Sequence, residues 1–370
     1  MAPIDLRADD VFTRHFSLPL SSPLRTAKGE FTDRDGSLVR VHQDGPDGSA
    51  YSGVGEATPF PGWTESLEEC RERLETVGPA ALTELHQRRS DRWRETPAAR
   101  HGLSLAILDR QARIDGCSLG AALAAIVDGA ATEPASTVPV NATIGDGSVD
   151  KTVHAAESAV QDGFECLKLK IGARPLEEDL ARVGAVRDAV GDGVVLRVDV
   201  NEAWNESQAR RGLDRLADLA VSYVEQPLSA DQLEEHAALR GHGVGIAVDE
   251  TIATGPSRER VTAVIDAAAA DVVVLKPMTV GGPVETLRLA IRAVSAGIEP
   301  VITTTIDAVV ARTAAVHVAS VVPNVSACGL ATAGLLESDL CADPAPVSDG
   351  HINVPSGTGI AGGAFEGQLF

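Results

Sequence analysis

Lysine is scarce in this chain: among 370 residues only Lys28, Lys151, Lys168, Lys170 and Lys276 occur. Acidic residues outnumber basic ones 53 to 32, for a formal net charge of −21. A field of that sign repels phosphate backbones and anionic headgroups, so nucleic acid and membranes are excluded as expected partners. An acidic surface whose cations are nearly all arginine is the pattern of a salt-adapted cytoplasmic protein, in which carboxylates hold water and salt screens their repulsion. The melting temperature should therefore climb as KCl rises from low to molar concentration, and a melting curve indifferent to salt would contradict this. The scarcity also narrows the search for chemistry. Arginine keeps its proton at any accessible pH, whereas a desolvated lysine can lose it, so the positions that retain lysine are candidates for proton transfer.

Cysteine is sparse too. Cys70, Cys117, Cys166, Cys328 and Cys341 are odd in number, widely spaced and without a CxxC pair, which argues against a disulfide framework and a zinc site. No stretch approaches the roughly 18 uninterrupted apolar residues of a membrane helix. The opening MAPIDLRADDVF has no basic segment leading into an apolar one, so no secretory signal is expected and the expected compartment is the cytoplasm.

What is present is a repeat. Short apolar, β-branched runs recur from about Ser136, each followed by a helix-like stretch: VPVNATI (138–144), CLKLKIG (166–172), VLRVDVN (195–201), VSYVEQP (221–227), VGIAVDE (244–250), DVVVLKP (271–277), EPVITTTI (299–306) and NVSACGL (324–330). Their starts lie 28, 29, 26, 23, 27, 28 and 25 residues apart, the span of a strand, a helix and two loops. Eight such units predict an α/β fold with a closed parallel barrel, in preference to a doubly wound open sheet, since no GxGxxG follows the first run. Residues 1–135 read as an α+β domain, with strand-like DVFTRHFSLPL, GSLVRVHQDG and AYSGVGEATP before helical stretches at 67–77 and 104–114. The barrel is expected over 136–342, and the Pro/Gly-rich tail 343–370 is expected to fold back onto the first domain.

Barrel chemistry sits at the C-terminal ends of the strands. Those ends carry Lys168 and Lys170, Asp199 with Asn201, Glu225, Asp249 with Glu250, and Lys276. Alternation puts Lys168 and Lys170 on one face, and Arg197, Asp199 and Asn201 on one face. Charges pointing into a barrel are costly unless paired or metal-bound. Asp199, Glu225 and Asp249 come from three consecutive strands and offer only oxygen, which suits a hard cation such as Mg²⁺. A lysine pair on one strand and a lone lysine four strands on place ammonium groups on either side of that metal. Repulsion between them, and the cation, should bring a lysine toward general-base range. Asn201, Thr303, Thr304 and Lys28, the last in the loop PLRTAKGEF, are candidates for substrate contact.

The motifs KLKIG, RVDVNEAW, VEQPL, VDET and LKPMTVGG, in that order, resemble the muconate-lactonizing-enzyme subgroup of the enolase superfamily over nearly the whole chain. The resemblance implies a (β/α)7β TIM-like barrel with an α+β capping domain whose loop around residues 19–31 closes over the barrel mouth. It implies that Asp199, Glu225 and Asp249 bind Mg²⁺, with Mn²⁺ able to substitute. Lys170 and Lys276 are then catalytic and face a small-molecule carboxylate substrate from opposite sides, Lys168 tunes Lys170, and an enediolate is formed and stabilised. Within the subgroup, GEATPFPGWTES and SPLRTAKGEFTDRDG look like segments of o-succinylbenzoate synthases, which implies a syn dehydration in menaquinone biosynthesis. The rival is a racemase or epimerase of N-acylamino acids or dipeptides. The DxD that dipeptide epimerases usually present after the last strand is missing from ACGLATAGLLESDL, while an N-succinylamino acid racemase stays open. A catalytically silent barrel that only binds is the alternative of another class. Assembly into a homo-oligomer is left open.

Overall fold

The computed structural model describes residues 11–26, 29–44, 50–77 and 93–370. Strands β1 (Val11–Thr26), β2 (Gly29–Asp44) and β3 (Ala50–Ala57) form an antiparallel sheet in the order β1-β2-β3. Helices α1 (Leu67–Glu75), α2 (Pro97–Ile114) and α3 (Leu119–Ile126) follow. The expected stretches at 67–77 and 104–114 correspond to α1 and to the second half of a longer α2. Glu65 explains where α2 begins: its buried carboxylate accepts from the backbone N–H groups of Ala98 (3.0 Å) and Ala99 (2.7 Å), satisfying donors that a helix start leaves free. Strand β3 lies so close to α2 that a Cβ at Gly53 or Gly55 would run into the backbone of Ala106 or Gly102.

The segment around residues 19–31 is mostly strand, not loop. Leu24, Arg25 and Thr26 pair with Phe31, Glu30 and Gly29 beyond a register shift that follows Pro19. Alternation masked this, because Pro and Ser interrupt the pattern where the bulge absorbs them.

The second body is a parallel sheet of seven strands: β5 (Ala142–Ile144), β6 (Cys166–Lys170), β7 (Val195–Asp199), β8 (Val221–Glu225), β9 (Gly245–Val248), β10 (Val272–Leu275) and β11 (Glu299–Ile302). Neighbours in space are neighbours in sequence, with helices in each connection. The run at 324–330 closes the ring by single bridges rather than as a strand. Cys328 N–H donates to Pro139 O (2.8 Å), Asn141 N–H to Cys328 O (3.0 Å) and Gly329 N–H to Ile302 O (2.9 Å). The architecture is thus the TIM-like barrel expected.

The run VPVNATI is two strands, not one. β4 (Thr137–Pro139) pairs antiparallel with β13 (His351–Asn353), which pairs with β12 (Val347–Ser348); the barrel strand starts only at Ala142. Pro139 has no N–H to continue a ladder, and Val140 N–H turns to Gly350 O (2.9 Å). The tail also reaches α2, where Ile360 N–H donates to Asp109 Oδ1 (2.7 Å) and Arg113 Nη2 to Gly362 O (2.9 Å).

Alternation along the barrel strands sorts the side chains. Leu167, Leu169, Leu196, Val198 and Val224 are buried among the helices, while Lys168, Arg197 and Tyr223 form one row and Lys170, Asp199 and Glu225 the next. Arg197 is only 4% exposed; its guanidinium lies 4.8 Å from the Tyr223 ring centre and donates to Ala327 O (2.6 Å). These contacts make a buried cation tolerable beneath the carboxylates.

Two side chains fasten the N-terminal sheet to the barrel. Glu56, at the end of β3, is fully buried and accepts from the backbone N–H groups of Ala308 (2.8 Å) and Ala311 (2.9 Å), at the start of the helix Val309–Ser320. Arg34 on β2 donates to Thr58 O (3.0 Å), Pro59 O (3.1 Å) and Ile306 O (3.2 Å). Among the described residues no helix is long and apolar enough to cross a membrane.

Candidate active site

Across the sheet, the ends of β6 to β10 present Lys170, Asp199, Glu225, Asp249 and Lys276 in spatial order. A lysine thus stands at each flank of a row of three carboxylates. Asp199, Glu225 and Asp249 are 1%, 1% and 6% exposed, so each charge must find a partner within the barrel. Lys170 Nζ lies 2.6 Å from Asp199 Oδ2, and Lys276 Nζ 2.6 Å from Asp249 Oδ2. Lys168 Nζ, one layer lower, bridges Glu225 (2.9 and 3.1 Å to its two oxygens) and Asp199 (3.1 Å).

The balance of these charges sets the protonation behaviour. Burial pushes Glu225 up, Asp199 and Asp249 add to the push against Lys168, and its carboxyl rises to about 7. Burial would raise Asp199 too, but Lys170 and Lys168 hold it well below the usual carboxylate range. Glu250 is pushed up to about 8 by burial and by Asp249 and Asp199. For Lys168, burial works against the ammonium, yet Glu225 and Asp199 prevail and lift it well above its ordinary value. Lys168 is consequently a fixed cation. The direction at Lys168 is therefore up, opposite to the lowering expected of a lysine here, because the carboxylates outweigh burial.

Other residues aim this row. Asn201 has a left-handed backbone (φ 47°); its Oδ1 accepts from Lys170 Nζ (2.8 Å) and its Nδ2 donates to Glu250 Oε1 (2.9 Å). Gln226, also left-handed (φ 42°), accepts at Oε1 from the N–H groups of Asp249 (3.0 Å) and Thr251 (3.2 Å) and donates from Nε2 to Thr251 Oγ1 (2.9 Å). Gln226 thereby ties the exit of β8 to the turn that carries Asp249. Arg182 donates to Lys170 O and Asp179 Oδ1 (2.9 Å), holding the exit of β6. Trp63, from the N-terminal body, lies over Lys276, with Nζ 3.6 Å from the ring centre.

Of the expected substrate contacts, Asn201 is in the row. Thr303 donates to Gly329 O (2.7 Å) and Thr304 meets Thr332 Oγ1 (3.0 Å), so both hydroxyls serve the seam that closes the barrel. Lys28 lies outside the described residues. Trp63, Gln226 and Arg182 join the site only through the fold, since no local sequence signal marks them. The tryptophan sits in GEATPFPGWTES, but nothing local tells which barrel residue it covers.

The donor set suits a hard divalent cation: three buried carboxylates and no His or Cys at these strand ends. Glu225, raised by burial first and by Asp199 and Asp249 after it, is a carboxylate whose ionised form such a cation would favour. Among the described residues no three acidic, His or Cys side chains stand in ready-made ligand geometry; each carboxylate is turned to an ammonium group.

A family model described as enolase C-terminal domain-like matches residues 151–362, more than half of the chain and all six of these lysines and carboxylates. The chain belongs to the enolase superfamily. It is an enzyme of that superfamily, and its relatives span lyase and isomerase activities. An o-succinylbenzoate synthase from Thermobifida fusca is 41% identical over 214 residues, covering 56% of this chain and 63% of that protein. The chain thus spans just under two thirds of that relative's length. An N-succinyl-L-Arg/Lys racemase from Bacillus cereus is 28% identical over 311 residues, 82% of this chain and 81% of that protein. The solved structure of muconate lactonizing enzyme from Pseudomonas fluorescens complexed with muconolactone superposes with a TM-score of 0.83 at 27% identity, covering 97% of this chain and 96% of that one.

Proposed function

We propose that the chain is a cytoplasmic, Mg²⁺-dependent o-succinylbenzoate synthase that dehydrates 2-succinyl-6-hydroxy-2,4-cyclohexadiene-1-carboxylate to 2-succinylbenzoate and water. Residues 1–135 with 343–370 form its capping domain, and 136–342 its catalytic barrel. The observation that carries the proposal is the unequal openness of the two flanking lysines: the side chain of Lys170 is 37% exposed, that of Lys276 11%. One open and one covered lysine suit a reaction with a single proton-transfer group better than an exchange that needs two.

Asp199, Glu225 and Asp249 are the residues to hold Mg²⁺, which when bound supplies positive charge against the charge that develops on the substrate carboxylate. As the neutral amine, Lys170 takes the proton alpha to the ring carboxylate. The ammonium so formed returns that proton to the departing hydroxyl, which leaves as water while the ring becomes aromatic. Both transfers occur on one face, hence the syn outcome. Lys276 stays an ammonium and steadies the anion electrostatically, while Lys168 keeps Asp199 and Glu225 in place.

A second reaction, racemisation of N-succinylamino acids, is favoured by one observation: Lys276 stands opposite Lys170 across the carboxylates, as a two-base exchange requires. The variant Lys276→Arg separates the two. Arginine keeps the charge but cannot exchange a proton near neutral pH, so dehydration should persist at a measurable rate, whereas racemisation should lose proton exchange on one stereochemical face. Loss of dehydration to the level of Lys276→Ala would count against the electrostatic role.

A further inference from the structure

The indole of Trp63 is a half-buried aromatic face laid directly on a barrel ammonium, and the segment that carries it is built to hold it there. The Lys276 Nζ lies 3.6 Å from the ring centre on one side and 2.6 Å from Asp249 Oδ2 on another. Trp63 N–H donates to Phe60 O (2.9 Å), and Phe60 N–H donates to Thr64 Oγ1 (2.8 Å). The Phe60 ring packs against Phe31 from the hairpin (4.8 Å between centres) and lies beneath the Arg34 guanidinium at 4.6 Å. Arg34 in turn donates to Thr58 O and Pro59 O at the entry to this segment and to Ile306 O in the barrel. The segment that carries Trp63 is therefore braced from the N-terminal sheet and from the barrel together.

We infer that Trp63 is a positioning residue that seats the Lys276 ammonium by a cation–π contact and so restricts this lysine to a fixed charge instead of a second proton-transfer arm. The ring quadrupole attracts the ammonium, and the contact is stronger when desolvated. Ring and carboxylate act from different directions, which leaves a flexible four-carbon side chain little freedom to swing toward a substrate carbon. The inference rests on the reading of Lys276 given above and extends it: this aromatic face helps decide between one-base and two-base chemistry.

The test uses the full chain with Mg²⁺ and two readouts: dehydration kinetics of the cyclohexadiene intermediate, and solvent deuterium incorporation into both enantiomers of an N-succinylamino acid. Trp63→Leu and Trp63→Phe are compared with the wild type, the phenyl ring retaining part of the contact. Trp63→Leu should raise exchange on the Lys276 face relative to the Lys170 face by about three- to thirtyfold, the range expected for a lost cation–π contact. Trp63→Phe should fall between, and dehydration should suffer in kcat more than in KM. An unchanged face ratio in Trp63→Leu, or equal shifts in both variants, would overturn the inference. The outcome is separable from the dehydratase assignment. A wild type that fails to dehydrate the intermediate defeats that assignment, while the face ratio still reports on Trp63. Trp63→Phe keeps the test decisive if the leucine variant does not fold.

Discussion

Replacing Lys170 with alanine should lower dehydration by at least about 10²- to 10⁴-fold, the usual contribution of a general acid–base group. The expectation is large because this one side chain is assigned both proton transfers. Its Nζ is held between Asp199 (2.6 Å) and Asn201 (2.8 Å), so it is aimed as well as available. The loss should appear in kcat. Because 37% of the side chain is exposed, truncation costs less packing than a core substitution would, and Lys168 still neutralises Asp199 at 3.1 Å. Melting temperature and circular dichroism should therefore stay close to those of the wild type. A Lys170→Ala enzyme within a few-fold of wild-type turnover would remove the single-base mechanism.

Chelation should abolish turnover, and added Mg²⁺ or Mn²⁺ should restore it. Three carboxylates buried to this degree, one of them pushed up to about 7, are poised for a divalent cation, and all three belong to adjacent strand ends. A ligand that binds only the folded state also stabilises it, by about 2.7 kcal/mol at a hundredfold excess over its Kd. Mg²⁺ should thus raise the melting temperature of the wild type and should raise that of Glu225→Gln much less. That variant keeps the shape of the side chain and removes one ligand charge. Full activity in excess chelator, or an equal Mg²⁺ response in Glu225→Gln, would contradict the metal assignment.

Much of the barrel and its row of charges was legible in the chain because both obey local rules. The strands are short and β-branched, they recur at a near-constant spacing, and a two-residue period decides which side chains share a face with Lys170 and Asp199. What was not legible depends on contacts between distant segments. Whether VPVNATI makes one strand or two is decided by the tail, which supplies β13 as a partner for Thr137–Pro139. The eighth run closes the ring through Cys328 and Gly329 alone, which no β-propensity announces. The hairpin carries strand pairing past Pro19 because a register shift absorbs residues that would otherwise end a strand. Trp63 was out of reach for the same reason. Its segment could be noticed, but the partner of its ring lies on a barrel strand end far along the chain, and only the docking of the two bodies through Glu56 and Arg34 brings them together. The ammonium behaviour of Lys168 likewise emerges only when its distances to Glu225 and Asp199 are known.

One proton-transfer lysine and one fixed charge around a metal-binding row of carboxylates should show in a single side-by-side measurement on purified wild-type protein with Mg²⁺ and high salt. Dehydration of the cyclohexadiene intermediate is followed beside deuterium incorporation from solvent into each enantiomer of an N-succinylamino acid. Dehydration should be rapid, with exchange of the amino acid slow on the Lys276 face. Fast exchange at both faces together with poor dehydration would contradict it and assign the enzyme to racemisation.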